Sequence, residues 1–356
     1  LRYDPALLGD TLVRSADLHP APLGPGDPVS VIALKHNLRV FCHATEIAAI
    51  EPVDLPLPRP PRFRATNLER IAVAATVESI GGALTDPDGR VLALWAHFSY
   101  QDGKEHRTGE FGIPAELLAD IVATLQAGEE PVFWDLGVEF GLISLAEARN
   151  HGLSAAAAAR LEAHDPVRRQ VLMAQRISPA APGWRAGDLL LAAGDQPITT
   201  IREIERAAAA GQLQVTVLRD GHELGLTVTA TPRRGCGTER VVHWAGALLQ
   251  APHHAAQIQR NLPPEGVYIS LYWYGSPASR SRLRAARRII AVDGKPTPDL
   301  EAFLAAVAGK PSRASVRLKT VDLDDKVELI TLRQDLDYFP TYELRLTPSG
   351  WIRTEH

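Results

Sequence analysis

Histidine and cysteine are the residue types here that most often hold metals or act as bases and nucleophiles, and their spacing argues against all three roles. There are twelve histidines and two cysteines in 356 residues. Adjacent His253 and His254 would point apart on a helix, and His222 and His243 belong to no HxxxH or HExxH pattern. His36, His43 and His97 have no base-like surroundings in sequence; His97 reads as an ordinary strand residue, and the others as surface histidines. Cys42, in an apolar strand-like run, and Cys236, in a glycine-rich stretch, form no CxxC pair and read as buried or idle thiols. No metal and no cofactor is expected.

The elements that must position any site follow from the pattern of apolar residues. From Leu1 to about Ile113 short β-type runs alternate with turns, among them 28–34 (PVSVIAL), 38–50 and 89–100, which predicts a barrel or sandwich. Leu117, Leu118, Ile121, Val122 and Leu125 recur at helical spacing after Pro114, so a helix over 114–126 closes this domain. Residues 131–230 and 240–333 then read as two copies of one unit, the shared proline setting the offset at 296 − 197 = 99. Each copy holds a strand, a tight turn, a helix ending at Gly211 or Gly309, and a hairpin turning at Asp220-Gly221 or Asp324-Asp325. The first copy carries a helical insertion over 144–170. The expected domains are 1–128, 129–232, 239–335 and a tail, 336–356, that docks before fraying, with 232–239 as a linker.

Charge excludes whole classes of partner. With 38 basic and 42 acidic residues the net charge is -4, so no global field recruits nucleic acid or an anionic membrane. No apolar run reaches the ~18 residues needed to span a bilayer. Five arginines between Arg280 and Arg288 read as a solvated face. Tyr268, Tyr272, Trp273 and Tyr274 read as a domain-packing seam, with a ligand platform as the alternative. Leu1–Asp4 resembles the end of a strand already under way, so the chain reads as truncated at its start and its compartment stays open.

Three motifs in order, 22–34 (PLGPGDPVSVIAL), 81–94 (GGALTDPDGRVLAL) and 109–118 (GEFGIPAELL), resemble the HtrA/DegP family of serine proteases with PDZ domains, and more closely its double-length branch with a degenerate second protease domain. The resemblance covers nearly the whole chain. It implies a mainly β protein with α+β modules: a trypsin-like β-barrel, in part its C-terminal barrel, followed by two PDZ-like domains.

An active member carries Gly-Asn-Ser-Gly-Gly where this chain has Glu78-Ser79-Ile80-Gly81-Gly82. By this resemblance the nucleophile position falls on Ile80 and the oxyanion-hole glycine on Glu78. Isoleucine has neither a proton to lose nor a lone pair to attack with, and Ser79 stands one residue early in the turn. The family's aspartate and histidine would precede Leu1, so Asp4 is not the triad aspartate. No catalytic residue is therefore expected.

PDZ domains take an extended peptide as an added strand, its carboxylate nested in amides of a glycine loop. The resemblance places those loops at Leu136, Gly137 and Val138 in the first copy and at Trp244, Ala245, Gly246 and Ala247 in the second. Helix residues would form the other wall: Ile204 and Ala208 in the first, Leu300, Phe303 and Leu304 in the second. The implied function is a pseudoprotease and peptide-binding portion of an HtrA-like protein, serving assembly, substrate selection or quality control. Its implied partners are peptides or protein termini, with homo-oligomers or intramolecular domain contacts. The alternatives are the C-terminal half of an active endopeptidase whose triad lies upstream of Leu1, and an interaction module unrelated to proteolysis.

Overall fold

The computed structural model describes residues 4–10, 12, 15–53, 67–102, 105–234 and 237–356. Leu1, Arg2, Tyr3 and Cys236, all read above, lie outside the described residues. The chain divides into two units, the first comprising Leu1–Glu51, Glu69–Tyr100 and Arg107–Glu130, the second Pro52–Leu68, Gln101–His106 and Pro131–His356.

In the first unit, strands Pro28–Leu34, Val40–Pro52, Glu69–Val73, Glu105–Pro114, Val91–Asp102 and Gly82–Thr85 follow one another around a closed barrel. Alternation along Pro28–Leu34 turns Val29, Val31 and Ala33 inward, where they meet Ile47, Ile71, Leu84, Ala93 and Trp95. Closure brings Gly82 opposite Ala33, and a Cβ on Gly82 would overlap the Ile32 carbonyl oxygen, so only glycine fits there. The expected helix forms as Ala115–Gln126 with Pro114 at its N-cap. Two local readings change. Asp4 ends no strand; its carboxylate accepts from the Ala6 amide and caps a short 3-10 turn, Pro5–Leu8. Cys42 is exposed rather than buried, because its strand turns alternate residues outward there.

The second unit holds both copies of the repeat. In the first, the sheet runs His222–Thr229, Gln212–Arg219, Leu189–Ala193, Gln170–Ile177, Val138–Ser144, which leaves Val138–Ser144 as an edge strand. Helix Ile201–Ala208 starts with a capping box between Thr200 and Glu203 and packs Ile201, Ile204 and Ala208 against Phe140, Leu172, Leu190 and Val217. The insertion forms two helices, Leu145–Asn150 and Ala155–His164, each N-capped by serine. They bury Leu145, Ala148, Ala158 and Leu161 against Val171, Leu189 and Leu218 on the sheet's other face. The insertion thus gives this sheet a second apolar layer.

The second copy places its helix at Leu300–Val307, which is Ile201–Ala208 displaced by 300 − 201 = 99 residues, with Asp299 as N-cap. Its sheet runs Val327–Arg333, Ser315–Val321, Arg287–Val292, Val267–Tyr272, Ala247–Gln250, Arg240–Trp244, Tyr342–Thr347, Gly350–Glu355. The expected fraying tail is therefore two of these strands: Tyr342–Thr347 pairs with Arg240–His243, which gives its backbone groups partners along the sheet. Likewise the expected linker contains a strand, Thr231–Arg234, paired with Val132–Asp135. The arginine cluster is not wholly solvated, since Arg288 is buried and donates to the Glu265 carbonyl at 2.8 Å. Among the described residues no helix is long and apolar enough to cross a membrane.

Candidate functional site

Two places bear on the chemistry that the sequence implies: the Glu78–Gly82 turn in the first unit and the strand grooves in the second.

At the turn, Ile80 is held by the backbone. Its N–H donates to the Leu34 carbonyl at 2.8 Å, and the Gly81 carbonyl accepts from Leu34 N–H at 3.1 Å. The Ile80 amide is thus bound to a neighbouring strand. The Ile80 side chain is 44% exposed, while Ser79 beside it is only 1% exposed. The Ser79 hydroxyl accepts from Gly81 N–H at 3.3 Å, and Ser79 N–H donates to Glu110 Oε1 at 2.6 Å. The same carboxylate receives the Trp95 indole N–H at 3.3 Å and lies 3.5 Å from His97 Nδ1. His97 therefore faces an acidic side chain from a neighbouring strand, as an exposed strand residue.

Glu110 was not among the expected site residues. It lies 31 residues from Ser79, and the one signal for it is its place just before Phe111-Gly112-Ile113-Pro114. Beside the turn opens a cavity of about 560 Å³ lined by Lys35, Phe41, His43 and Glu78 among others.

In the first copy of the repeat, the chain runs from Val132–Asp135 through Leu136 and Gly137 into the edge strand. Gly137 adopts φ +70°, and a Cβ there would stand 2.8 Å from that of Ala181. Its N–H donates to Asp135 Oδ1 at 2.8 Å, and its carbonyl accepts from Ser178 N–H at 2.7 Å. Leu136 and Val138 are buried. Burial works to raise the Asp135 pKa, but the hydrogen bonds from His254 and Gly137 and the charges of His254 and Arg233 outweigh it and hold the carboxyl below its ordinary value. His254, read from sequence as a surface residue, is in fact Asp135's ion-pair partner. On the open side of the edge strand, Asn67 donates from Nδ2 to the Val138 carbonyl at 2.8 Å and accepts at Oδ1 from Phe140 N–H at 2.9 Å.

The second copy lacks this edge. Ala245 (φ +50°) and Gly246 (φ +79°) form a two-residue reversal that lays Arg240–Trp244 directly along Ala247–Gln250. Strand Val267–Tyr272 takes the other side, so Ala247–Gln250 has no free edge for a ligand strand. Trp244, Ala245 and Ala247, expected to bind peptide, are fully buried core residues, with Trp244 packed edge-on against Phe303 at 5.3 Å between ring centroids. Leu300 and Phe303 are buried in the same core, and Leu304 packs against it. Gly246 is required for packing: a Cβ would overlap that of Ser276. His243, expected at the surface, is buried between Trp273 and Tyr342 with Nδ1 2.9 Å from the Pro340 carbonyl. Of the expected aromatic seam, Tyr268 is buried whereas Tyr274 is fully open to solvent.

Comparison with protein-family profiles finds no match. Among curated proteins, the chain is 34% identical over 397 residues to Protease Do-like 7 of Arabidopsis thaliana, covering 98% of this chain and 35% of that protein. It is 33% identical to a PDZ domain-containing protein of Schizosaccharomyces pombe, covering 100% of this chain and 36% of that protein. The pro-apoptotic serine protease nma111 of Aspergillus niger is 29% identical, with the same two shares. The chain thus spans about a third of the length of the curated relatives it matches. Among solved structures it is similar to the HtrA-type protease AlgW with tripeptide, at TM-score 0.35 and 20% identity, covering 59% of this chain and 66% of that one. Its relatives and its mainly β architecture agree: the chain belongs to the HtrA/DegP-type family.

Proposed function

We propose that this chain is a non-catalytic portion of a longer HtrA-like protein, in which the first PDZ-like unit recognises extended peptide and the second serves as scaffold. The observation that carries the peptide reading is the Val138–Ser144 strand, an edge strand beside helix Ile201–Ala208 whose outer side meets no strand among the described residues. Main-chain groups on such an edge pair with an incoming strand. One loop amide is already bonded to Asp135, whose carboxylate opposes a second negative charge, so the groove suits an internal extended segment better than a free C-terminus. Leu136, Gly137 and Val138 shape this site. Trp244, Ala245, Gly246, Ala247, Leu300 and Leu304 support the second unit's fold.

The non-catalytic reading is supported by Ile80 at the nucleophile position, by the bond from its N–H to Leu34, and by the buried Ser79 hydroxyl. The relatives are about three times longer, so a working triad elsewhere in the whole protein is compatible with it. In that arrangement this part would govern assembly or substrate selection.

Each half of the reading has a direct test. A fluorophosphonate probe is expected to leave the purified chain unlabelled; stoichiometric labelling that disappears in Ser79→Ala would overturn the first half. Decapeptide arrays, each sequence with a free and an amidated C-terminus, test the second. Binding that survives amidation and is lost in Gly137→Arg is expected. Binding that requires the free carboxylate would make the groove a C-terminus reader, and binding indifferent to Gly137→Arg would place the site elsewhere.

A further inference from the structure

The groove edge of the first PDZ-like unit already has an occupant. Asn67 lies 71 residues before Val138 in sequence, yet it belongs to the same structural unit. Its carboxamide offers a donor and an acceptor side by side, as a backbone residue does, and it uses both on this edge. Nδ2 donates to the Val138 carbonyl at 2.8 Å, and Oδ1 accepts from Phe140 N–H at 2.9 Å. A strand running parallel to Val138–Ser144 would engage this same pair of groups, a carbonyl and the amide two residues on, with one residue of its own.

The backbone around Asn67 is arranged for this. Asn67 has φ +59°, a left-handed conformation that asparagine tolerates better than most side chains. The next residue, Leu68, accepts from Val53 N–H at 2.7 Å, which pins the chain immediately beside the docked amide. The geometry points to a built-in stand-in for ligand: Asn67 caps the peptide edge of the first PDZ-like unit at its loop-proximal end, and an extended peptide must displace it to pair there.

This inference rests on the reading of that edge as a peptide site. In the resting state these two groups are satisfied by a side chain, so the loop-proximal end of the edge is neither left unpaired nor available for uncontrolled strand pairing. A ligand that reaches only the distal part of the strand, toward Ser144, would bind without displacing Asn67.

The test uses the full chain. Asn67→Gly removes the carboxamide while keeping the left-handed backbone accessible. Asn67→Asp, which loses the donor and sets a carboxylate against the Val138 carbonyl, serves if the glycine variant folds poorly. Hydrogen exchange at the Phe140 amide and affinity for amidated decapeptides are measured in wild type and variant. The expected result is faster Phe140 exchange, by about tenfold, and peptide binding tighter by about tenfold, the effect of losing hydrogen bonds that ligand would otherwise have to replace. Unchanged Phe140 exchange would show that Asn67 does not cap the edge, and faster exchange with unchanged affinity would show that the cap does not compete; either overturns the inference while peptide binding itself stands. Binding absent from wild type and both variants would instead remove the peptide reading, and the inference with it.

Discussion

The two copies of the repeat share a helix at a 99-residue offset and a common order of central strands, yet one presents a groove edge and the other has closed it. The difference lies in one residue of a two-residue turn. In the second copy both Ala245 and Gly246 take positive φ, the requirement for a tight two-residue hairpin, and the incoming strand folds back onto Ala247–Gln250. In the first, the residue before Gly137 is Leu136, which is not left-handed; only Gly137 is, and the incoming strand pairs away, with Thr231–Arg234. A reversal of one residue's backbone thus separates a peptide edge from a continuous sheet.

The sharpest way to break this comparison is Trp244→Ala. If the second copy is scaffold, the fully buried indole is core, and its loss is expected to cost about 3–5 kcal/mol, read as a lower urea midpoint. A variant of unchanged stability that merely lost peptide binding would restore Trp244 as a groove wall and equalise the two copies.

Equivalent glycine substitutions sharpen it further. Gly246→Ala adds a methyl that overlaps Ser276 at a left-handed position, so a loss of about 2–4 kcal/mol is expected with peptide binding intact. Gly137→Ala meets Ala181 at 2.8 Å in a looser turn and is expected to cost about 1–3 kcal/mol while weakening peptide binding at least tenfold. Opposite patterns of binding loss and stability loss in the two variants are the signature of one open and one closed copy. Parallel patterns would refute it.

Much of this architecture was legible before any coordinates. The repeat offset, the Pro114 helix start and the Asp220-Gly221 turn all follow from local chemistry, because turns and helical periodicity involve residues a few positions apart. Strand partnership is a different kind of information. Alternation in Arg240–Trp244 says that a strand forms, but the same alternation serves whether it pairs with Ala247–Gln250, with Tyr342–Thr347, or with both. Whether the second groove is open or filled by the chain's own strand is therefore not written in local spacing. The tail was expected to fray because its apolar residues Tyr342, Leu344 and Leu346 give no local sign of the strand they join. Glu110 and Asn67 were missed for the same reason: each acts on backbone groups 31 or 71 residues away, and no spacing rule reaches that far. Ile80 stands out in the sequence because it is a change of residue type within a short motif.

Acid should separate the two copies as well, with the smallest effect of the set. In the second, burial first and then the Arg353 charge hold the His243 pKa below 6.5. The unfolded chain then binds the proton more readily, so the stability from neutral His243 is complete above about pH 6.5 and declines as pH falls from there toward the depressed folded value. Asp135 in the first copy works in the carboxylate range. Its folded pKa lies below the ordinary 3.8 despite burial, so its contribution is present above about pH 4 and is lost only as pH falls through the depressed value. Between pH 7 and pH 5, hydrogen exchange is therefore expected to show the Arg240–Trp244 and Tyr342–Thr347 strands losing protection while Val138–Ser144 keeps its own, and His243→Gln should flatten that difference. Equal loss in both copies over this range, or a difference that persists in His243→Gln, would mean that the closed sheet does not owe its acid sensitivity to the buried imidazole at its centre.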